Sequence, residues 1–184
     1  MRIREARMSR KTKETDVEIL IKIDGSGKSK VECKNQFLQH MLETLSKYSS
    51  IDIETNIVGD NEHHLVEDTA ITLGMGLREA IGNEPIERIS SATVPMDDAL
   101  VTVSVDLIDR AYADIECPDD LYRHFFRSFA MASGMTLHVL VHRGFDNHHI
   151  VEAGFKALGM ALRSALQKRK ESLTTKGEVQ TRRE

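Results

Sequence analysis

Two long segments of the chain carry apolar residues at every third or fourth position, which predicts two amphipathic helices. The apolar positions are Val66, Ala70, Leu73, Leu77 and Ile81 in the first segment, and Val151, Phe155, Leu158, Leu162 and Leu166 in the second. A shorter helix is predicted ahead of each, around residues 37–45 and 121–129. The helical positions therefore fall into two similar groups.

Runs of alternating or β-branched residues predict the strands. One run lies between the helices of each group, at residues 51–58 and 136–142. A hairpin is predicted ahead of each group: residues 17–23 turn into 28–33, and residues 89–94 turn into 100–107. The order β-β-α-β-α, present twice, predicts an α/β fold of the α+β type. It is built from two small mixed sheets, each with helices on one face.

The two groups are copies of one unit. The segment His63-His64-Leu65-Val66-Glu67 recurs 85 residues later as His148-His149-Ile150-Val151-Glu152, and the match continues without a gap through both long helices. We therefore predict a first half-domain at residues 1–83 and a second at 84–170. A polar, basic tail follows at residues 171–184.

Composition and charge narrow the class of protein. Of the 184 residues, 40% are apolar and 29% are charged, and the formal net charge is −4. Neither a nucleic-acid nor a membrane partner is expected, because the chain has no strong positive field and no long apolar segment. Two cysteines without a CxxC pair suit a reducing compartment, so we expect a cytoplasmic protein.

The histidines carry the candidate chemistry. Six of the eight fall at duplicated positions: His40, His63, His64, His124, His148 and His149. Residues four apart share a helix face, which places His63 beside Glu67 and His148 beside Glu152. Adjacent residues on a helix point about 100° apart, so the two histidines of a pair cannot easily hold the same ion.

These geometric limits predict two metal ions, each bound by residues from both HHxxE helices. Each HHxxE helix could give one histidine to either ion, and His40 and His124 could complete the sets at roughly four protein ligands per ion. Imidazole and carboxylate ligands without thiolate suit Mn, Fe, Co, Ni or Zn. A single HHxxE would more often be a solvated helix end, but its repetition in register disfavours that interpretation. His138 and His142 lack repeat partners, and we interpret them as structural.

Cationic residues could hold a phosphate group, which both guanidinium and ammonium suit. The candidates are Arg88, Arg110, Lys156 and Lys176. Lys156 is the most specific of them, because it lies one helical turn beyond Glu152 and therefore faces the predicted metals. Glu14 has the pattern of an ordinary surface residue.

Several segments together resemble a known family. They are Arg10-x-Thr12-x-Glu14-Thr15, Phe37-Leu38-x-His40-Met41-Leu42, His63-His64-x-x-Glu67-Asp68-Thr69, Arg88 seven residues before Pro95, Asp106 to Arg110, Asn147-His148-His149-x-x-Glu152-x-x-Phe155-Lys156-Ala157 and Thr174-Thr175-Lys176-Gly177. In this order they are similar to the landmark segments of the imidazoleglycerol-phosphate dehydratases, and they extend over nearly the whole chain.

The resemblance implies roles for individual residues. Manganese, two ions per site, would be bound by His40, His63, His64, Glu67, His124, His148, His149 and Glu152. The substrate and its phosphate would be bound by Arg88, Arg110, Lys156, Thr174 and Lys176, the last two in the tail. Glu14 would contact the substrate as the acid/base group. The active sites would lie between the subunits of a 24-subunit homo-oligomer.

The implied reaction is a dehydration of D-erythro-imidazole-glycerol phosphate to imidazole-acetol phosphate in histidine biosynthesis. The substrate has no carbonyl group to acidify its C–H bond, so a two-metal-bound imidazolate would provide the driving force instead. A dimetal phosphohydrolase is one alternative. A non-enzymatic metal-binding or ferritin-like protein is another, although it fits poorly with the strands between the helices and with the ligand order.

Overall fold

The computed structural model of the chain describes residues 3–173. Its first half contains β1 (Glu5–Lys11), β2 (Thr15–Lys22), β3 (Ser29–Cys33), α1 (Gln36–Ser49), β4 (Asp52–Gly59) and α2 (Glu62–Ile81). Its second half contains β5 (Ile89–Met96), β6 (Ala99–Asp106), β7 (Tyr112–Ile115), α3 (Asp120–Ser133), β8 (Thr136–Arg143) and α4 (Asn147–Ala165). The halves thus have the same order of elements.

The two sheets also have the same topology. The strand orders are β1-β2-β4-β3 and β5-β6-β8-β7, with one parallel pair at the end of each sheet. In β2 and β6 every second residue is buried, as expected for strands with one face on the core. The predicted class, a duplicated α+β fold of mixed sheets with helices on one face, is confirmed.

The strand count and one strand pairing differ from the prediction. Each half has one further strand, β1 in the first and β7 in the second. The predicted hairpin at residues 89–107 is present as β5 and β6. The predicted hairpin at residues 17–33 is wrong, because β2 pairs with β1 and β4, whereas β3 pairs in parallel with β4.

The helices lie between the two sheets and pack across the repeat. Helix α1 contacts α4, and α2 contacts α3, so each helix pair combines one helix from each half. A single apolar core extends through this layer, and its largest fully buried side chains include Phe125, Phe126, Phe129 and Phe155. In residues 3–173, no helix is both long and apolar enough to cross a membrane.

Two equivalent glycines allow the helix pairs to approach closely. A Cβ atom at Gly74 in α2 would lie 2.7 Å from the carbonyl oxygen of Phe129 in α3. A Cβ atom at Gly159 in α4 would lie 2.8 Å from the Cβ of Tyr48 in α1. Both distances are shorter than van der Waals contact. The absence of a side chain at these two positions therefore sets how closely the helices can pack.

Candidate metal centre and active site

Helix capping places the duplicated histidines at equivalent points. Asn61 and Asp146 cap α2 and α4 by accepting hydrogen bonds from the backbone N–H groups of His64 and His148. Both histidine pairs therefore lie in the first turn of their helices. His40 and His124 are each the fifth residue of their helix, α1 and α3. The cross-repeat packing of these helices brings the segments together.

One cluster forms where α1 meets α4. The Nε2 atoms of His40 and His148 each lie 3.2 Å from Oε2 of Glu152. Lys156 lies 3.0 Å from the other oxygen of Glu152, as its spacing of one turn predicts. Burial disfavours ionised Glu152, but hydrogen bonds from Lys156 and His40 outweigh it and lower the pKa of this carboxyl below its ordinary value.

The equivalent cluster forms where α2 meets α3. Nε2 of His124 lies 3.2 Å from Oε1 of Glu67, and Nε2 of His63 lies 3.7 Å from Oε2 of the same carboxylate. The rings of His63 and His124 are stacked, with centroids 5.2 Å apart. The structure therefore brings six of the eight predicted metal ligands into two equivalent sets of three.

The donor atoms of both sets fit a divalent cation. Within each set, the three atoms all lie within 4.8 Å of one another, which is compatible with bonds of about 2.0–2.2 Å to a common ion. Nε2 of His124 is buried and, although it lies close to Glu67, makes no hydrogen bond within residues 3–173, as expected for an atom that a cation could satisfy. Two imidazoles and one carboxylate suit a borderline transition metal and leave positions open for further ligands.

His64 and His149 do not join the clusters of their own chain. Nδ1 of His64 lies 2.8 Å from Oδ1 of Asp60, and Nδ1 of His149 lies 2.5 Å from Oδ1 of Asp98. Both imidazole pKa values are raised, chiefly by these hydrogen bonds. The pKa of Asp98 is held well below its ordinary range by His149, and also by the backbone N–H groups of Phe145 and Asp146.

Glu14 lies beside the first histidine pair. It occupies the turn between β1 and β2, its side chain is 54% exposed, and its Oε2 lies 4.0 Å from Nδ1 of His64. The turn between β5 and β6 occupies the same place in the second half, and there Oδ2 of Asp97 lies 3.4 Å from Nε2 of His149. Both HHxxE helices therefore have a carboxylate from a hairpin turn near their second histidine.

The predicted phosphate ligands are in different environments. Nε of Arg88 lies 2.8 Å from Asp106, and Nη1 of Arg88 donates to the carbonyl oxygen of Leu173. Arg110 is exposed in the loop after β6. Thr174 and Lys176 lie outside the described residues, but Arg88 holds the chain at the residue that directly precedes Thr174.

Three carboxylates beside the second histidines, Asp60, Asp97 and Asp98, were not among the predicted residues. Asp60 could have been found from its position four residues before His64, but Asp98 is 51 residues from His149 in sequence. His138 and His142 lie outside both clusters: Nε2 of His142 pairs with Thr102, and Nδ1 of His138 lies 3.8 Å from Asp114.

Comparison with known proteins gives a consistent result. A family profile described as imidazoleglycerol-phosphate dehydratase matches residues 33–162, more than half of the chain. An imidazoleglycerol-phosphate dehydratase of Methanococcoides burtonii is 42% identical, and the match covers 95% of this chain and 99% of that protein. One from Phytophthora nicotianae is 44% identical over 90% of this chain, which spans 40% of that longer protein.

A solved structure agrees as well. The crystal structure of the IGPD from Pyrococcus furiosus superposes with a TM-score of 0.83 and 39% identity, covering 94% of this chain and 100% of that one. Sequence, fold and the two histidine clusters lead to the same assignment. The chain belongs to the imidazoleglycerol-phosphate dehydratase family.

Proposed function

We propose that this protein is a hydro-lyase of histidine biosynthesis that converts D-erythro-imidazole-glycerol phosphate to imidazole-acetol phosphate. The observation that carries the proposal is the pair of equivalent clusters, His40, His148 and Glu152 in one and His63, Glu67 and His124 in the other. Two such centres suit a substrate whose imidazole ring has two nitrogen atoms. The family membership supports the same reaction.

Each cluster would hold one divalent ion, with manganese as the expected metal. Ions held by the residues of the two clusters would supply positive charge that stabilises a deprotonated imidazole ring, and such a ring can expel the adjacent hydroxyl group. The carboxylate of Glu14 would accept the proton from C2. The exposed position of Glu14 beside His64 supports this role, because a base must be able to reach the substrate.

The phosphate would be held away from the reacting carbons by Lys156, Arg88 and Arg110, together with Thr174 and Lys176 of the tail. The position of Lys156 supports this assignment. Its side chain is largely buried and its ammonium group contacts Glu152, so a cationic group lies directly beside one cluster. Binding the phosphate at a distance fixes the position of the imidazole ring and of C2.

Neighbouring chains would complete the metal sites. Each cluster offers three candidate ligands, whereas His64 and His149 contact Asp60 and Asp98 and lie outside the clusters of their own chain. We infer that these two histidines bind ions in other subunits of a closed cytoplasmic assembly of about 24 chains. An ion bound by residues of two chains would then make assembly depend on metal binding.

The decisive experiment incubates the metal-loaded protein with D-erythro-imidazole-glycerol phosphate and follows two products separately. Formation of the keto product without free phosphate is expected, with about two divalent ions per chain and complete loss of activity on chelation. Release of inorganic phosphate would instead identify a dimetal phosphohydrolase. Formation of neither product by fully loaded protein would contradict an enzymatic role with this substrate.

A further inference from the structure

A directed series of hydrogen bonds fixes the turn that carries Glu14. The backbone N–H groups of Glu14 and Thr15 donate to the hydroxyl oxygen of Thr12, at 3.1 and 2.9 Å. The hydroxyl groups of Thr12 and Thr15 lie 3.1 Å apart, and the Thr15 hydroxyl also contacts Oδ2 of Asp68. A carboxylate can only accept, so Thr15 donates to Asp68 and Thr12 donates to Thr15.

Asp68 is the anchor at the end of this series. It lies in α2, its side chain is only 9% exposed, and its second oxygen lies 2.6 Å from Nη1 of Arg10 in β1. One buried carboxylate therefore holds both strands of the hairpin. Charged acceptors make the stronger hydrogen bonds, and a buried charge is stable only when such partners satisfy it.

The backbone of Glu14 is held on both sides, whereas its side chain makes no hydrogen bond within residues 3–173 and lies 4.0 Å from His64. Its N–H group is bound by Thr12, and its carbonyl oxygen accepts a hydrogen bond of 3.1 Å from the backbone N–H of Asp60. Asp60 in turn contacts His64. The hydrogen bonds thus fix the backbone from which the side chain of Glu14 extends beside His64.

The repeat shows that an equivalent hairpin forms without this anchor. At the 85-residue offset that pairs His63 with His148, the counterpart of Asp68 is Ala153, which is completely buried in α4. The second half nevertheless forms its β5–β6 hairpin. The carboxylate is present only in the half whose turn carries the proposed base.

We propose that Asp68 is a positioning residue for the dehydration, acting through Arg10, Thr12 and Thr15 to hold Glu14 in its reactive position. This inference rests on the proposed role of Glu14. It also explains why Arg10, Thr12 and Thr15 surround Glu14 in sequence: their side chains build the turn, and that of Glu14 is left for the substrate.

The test is a double-mutant cycle on the metal-loaded assembly with Glu14→Gln, Asp68→Asn and the double variant. An asparagine has nearly the same shape, but it lacks the charge that pairs with Arg10, and its NH2 group would face either Arg10 or the hydroxyl group of Thr15. We expect Asp68→Asn to lower kcat between about tenfold and a hundredfold, because small displacements of a reacting group have effects of this size. KM and metal content should stay at the wild-type values.

The double variant distinguishes positioning from general damage. If Asp68 acts through Glu14, kcat of the double variant should equal that of Glu14→Gln within about twofold. The positioning role would be overturned if Glu14→Gln is impaired and the double variant loses kcat by the product of the two single losses. Loss of metal in Asp68→Asn would overturn it as well. A wild-type rate for Glu14→Gln would overturn the role of Glu14 itself.

Two further variants keep the test valid if Asp68→Asn folds poorly. Thr15→Val removes the hydroxyl group between Thr12 and Asp68 without a change in size, and it should lower kcat in the same way. Thr15→Ser retains the hydroxyl group and should keep most of the rate. Asp24→Asn, which disrupts the ion pair with buried Arg4 in the same half, is the matched control and should leave kcat unchanged.

Discussion

At the scale of single residues, the ring nitrogens of His64 and His149 are distinguished by their carboxylate partners. Asp98 lies 2.5 Å from Nδ1 of His149, closer than Asp97 lies to Nε2, which favours the neutral tautomer with the proton on Nδ1 and the lone pair on Nε2. A cation therefore has one favoured nitrogen to bind on the ring of His149. Asp98 is itself held by two backbone N–H groups, which fixes the direction of His149.

Replacement of Asp98 by asparagine tests this effect. The amide oxygen can still accept from Phe145 and Asp146, but the NH2 group would face Nδ1 of His149 and favour the tautomer with the proton on Nε2. We expect metal affinity to fall about 10- to 100-fold. The metal affinity is measured by titration with Mn²⁺ against a competing chelator, at a pH where imidazole is neutral.

Asp114→Asn is the matched control, because Asp114 pairs with His138, which lies outside both clusters. It should leave metal affinity unchanged. Equal affinities for wild-type and Asp98→Asn protein would show that His149 is not a metal ligand or that Asp98 does not orient it.

Metal binding should also depend on pH through the same pair. The raised pKa of His149 means that its ring keeps its proton to a higher pH than an unpaired imidazole does. Protons must leave before a cation can bind, so affinity should fall as the pH decreases through this raised pKa. In Asp98→Asn the fall should occur at lower pH, and titrations over a pH series would show the difference.

At this scale the sequence predicts the candidate ligands but not their neighbours. The pairing of His63 with Glu67 follows from helical spacing, and His40 and His124 follow from the repeat. Asp98 cannot be found this way, since its contact with His149 depends on how the β5–β6 turn lies over α4. That information is in the tertiary packing.

At the scale of secondary structure, helices and most strands could be predicted, whereas one strand pairing could not. The segment Asp24-Gly25-Ser26-Gly27 has turn chemistry, and its backbone does turn, with Asp52 accepting from Ser26 and Lys28. The turn does not form a hairpin, because β3 continues to the far side of β4. Local residues encode a reversal of the chain, but the partner strand depends on distant contacts.

The close approach of α2 to α3 and of α4 to α1 predicts the effect of adding a side chain at their glycines. Gly74→Ala and Gly159→Ala should each destabilise the protein by about 1–3 kcal/mol, since the new methyl group meets atoms of the facing helix. Each should also weaken metal binding, because the facing helix carries His124 or His40. Thermal or denaturant unfolding of the metal-free protein and metal titration measure the two effects.

Gly76→Ala is the control within the same helix. A Cβ atom there would lie 3.3 Å from a methyl group of Ile21, and alanine favours the helix by up to about 1 kcal/mol. We expect a change within about 1 kcal/mol and normal metal affinity. Similar losses in all three variants would show that the close crossings do not set the ligand geometry.

At the scale of the whole molecule, an exposed aromatic side chain lies next to the candidate metal centre. Phe145 is 95% exposed, three residues before His148, and Asp98 accepts a hydrogen bond from its backbone N–H. A large apolar side chain on a restrained loop suits a contact with another chain. Its position agrees with the proposal that neighbouring chains meet at the metal sites.

Replacement of Phe145 by aspartate should therefore weaken the assembly. We expect Phe145→Asp to form smaller species in sedimentation velocity at concentrations where the wild-type assembly is intact, with lower metal affinity. Phe145→Leu keeps an apolar contact and should remain assembled. An intact, fully loaded Phe145→Asp assembly would place Phe145 outside the subunit interface.

The packing of α1 on α4 and of α2 on α3 has a consequence for how such a chain could arise. Neither half alone contains a complete cluster, since each cluster combines residues from both halves. An ancestor half as long could have formed these centres only as a homodimer, with two identical clusters. Gene fusion would then have allowed the two copies to change independently, so that one half could carry Asp68 and Glu14 and the other Ala153.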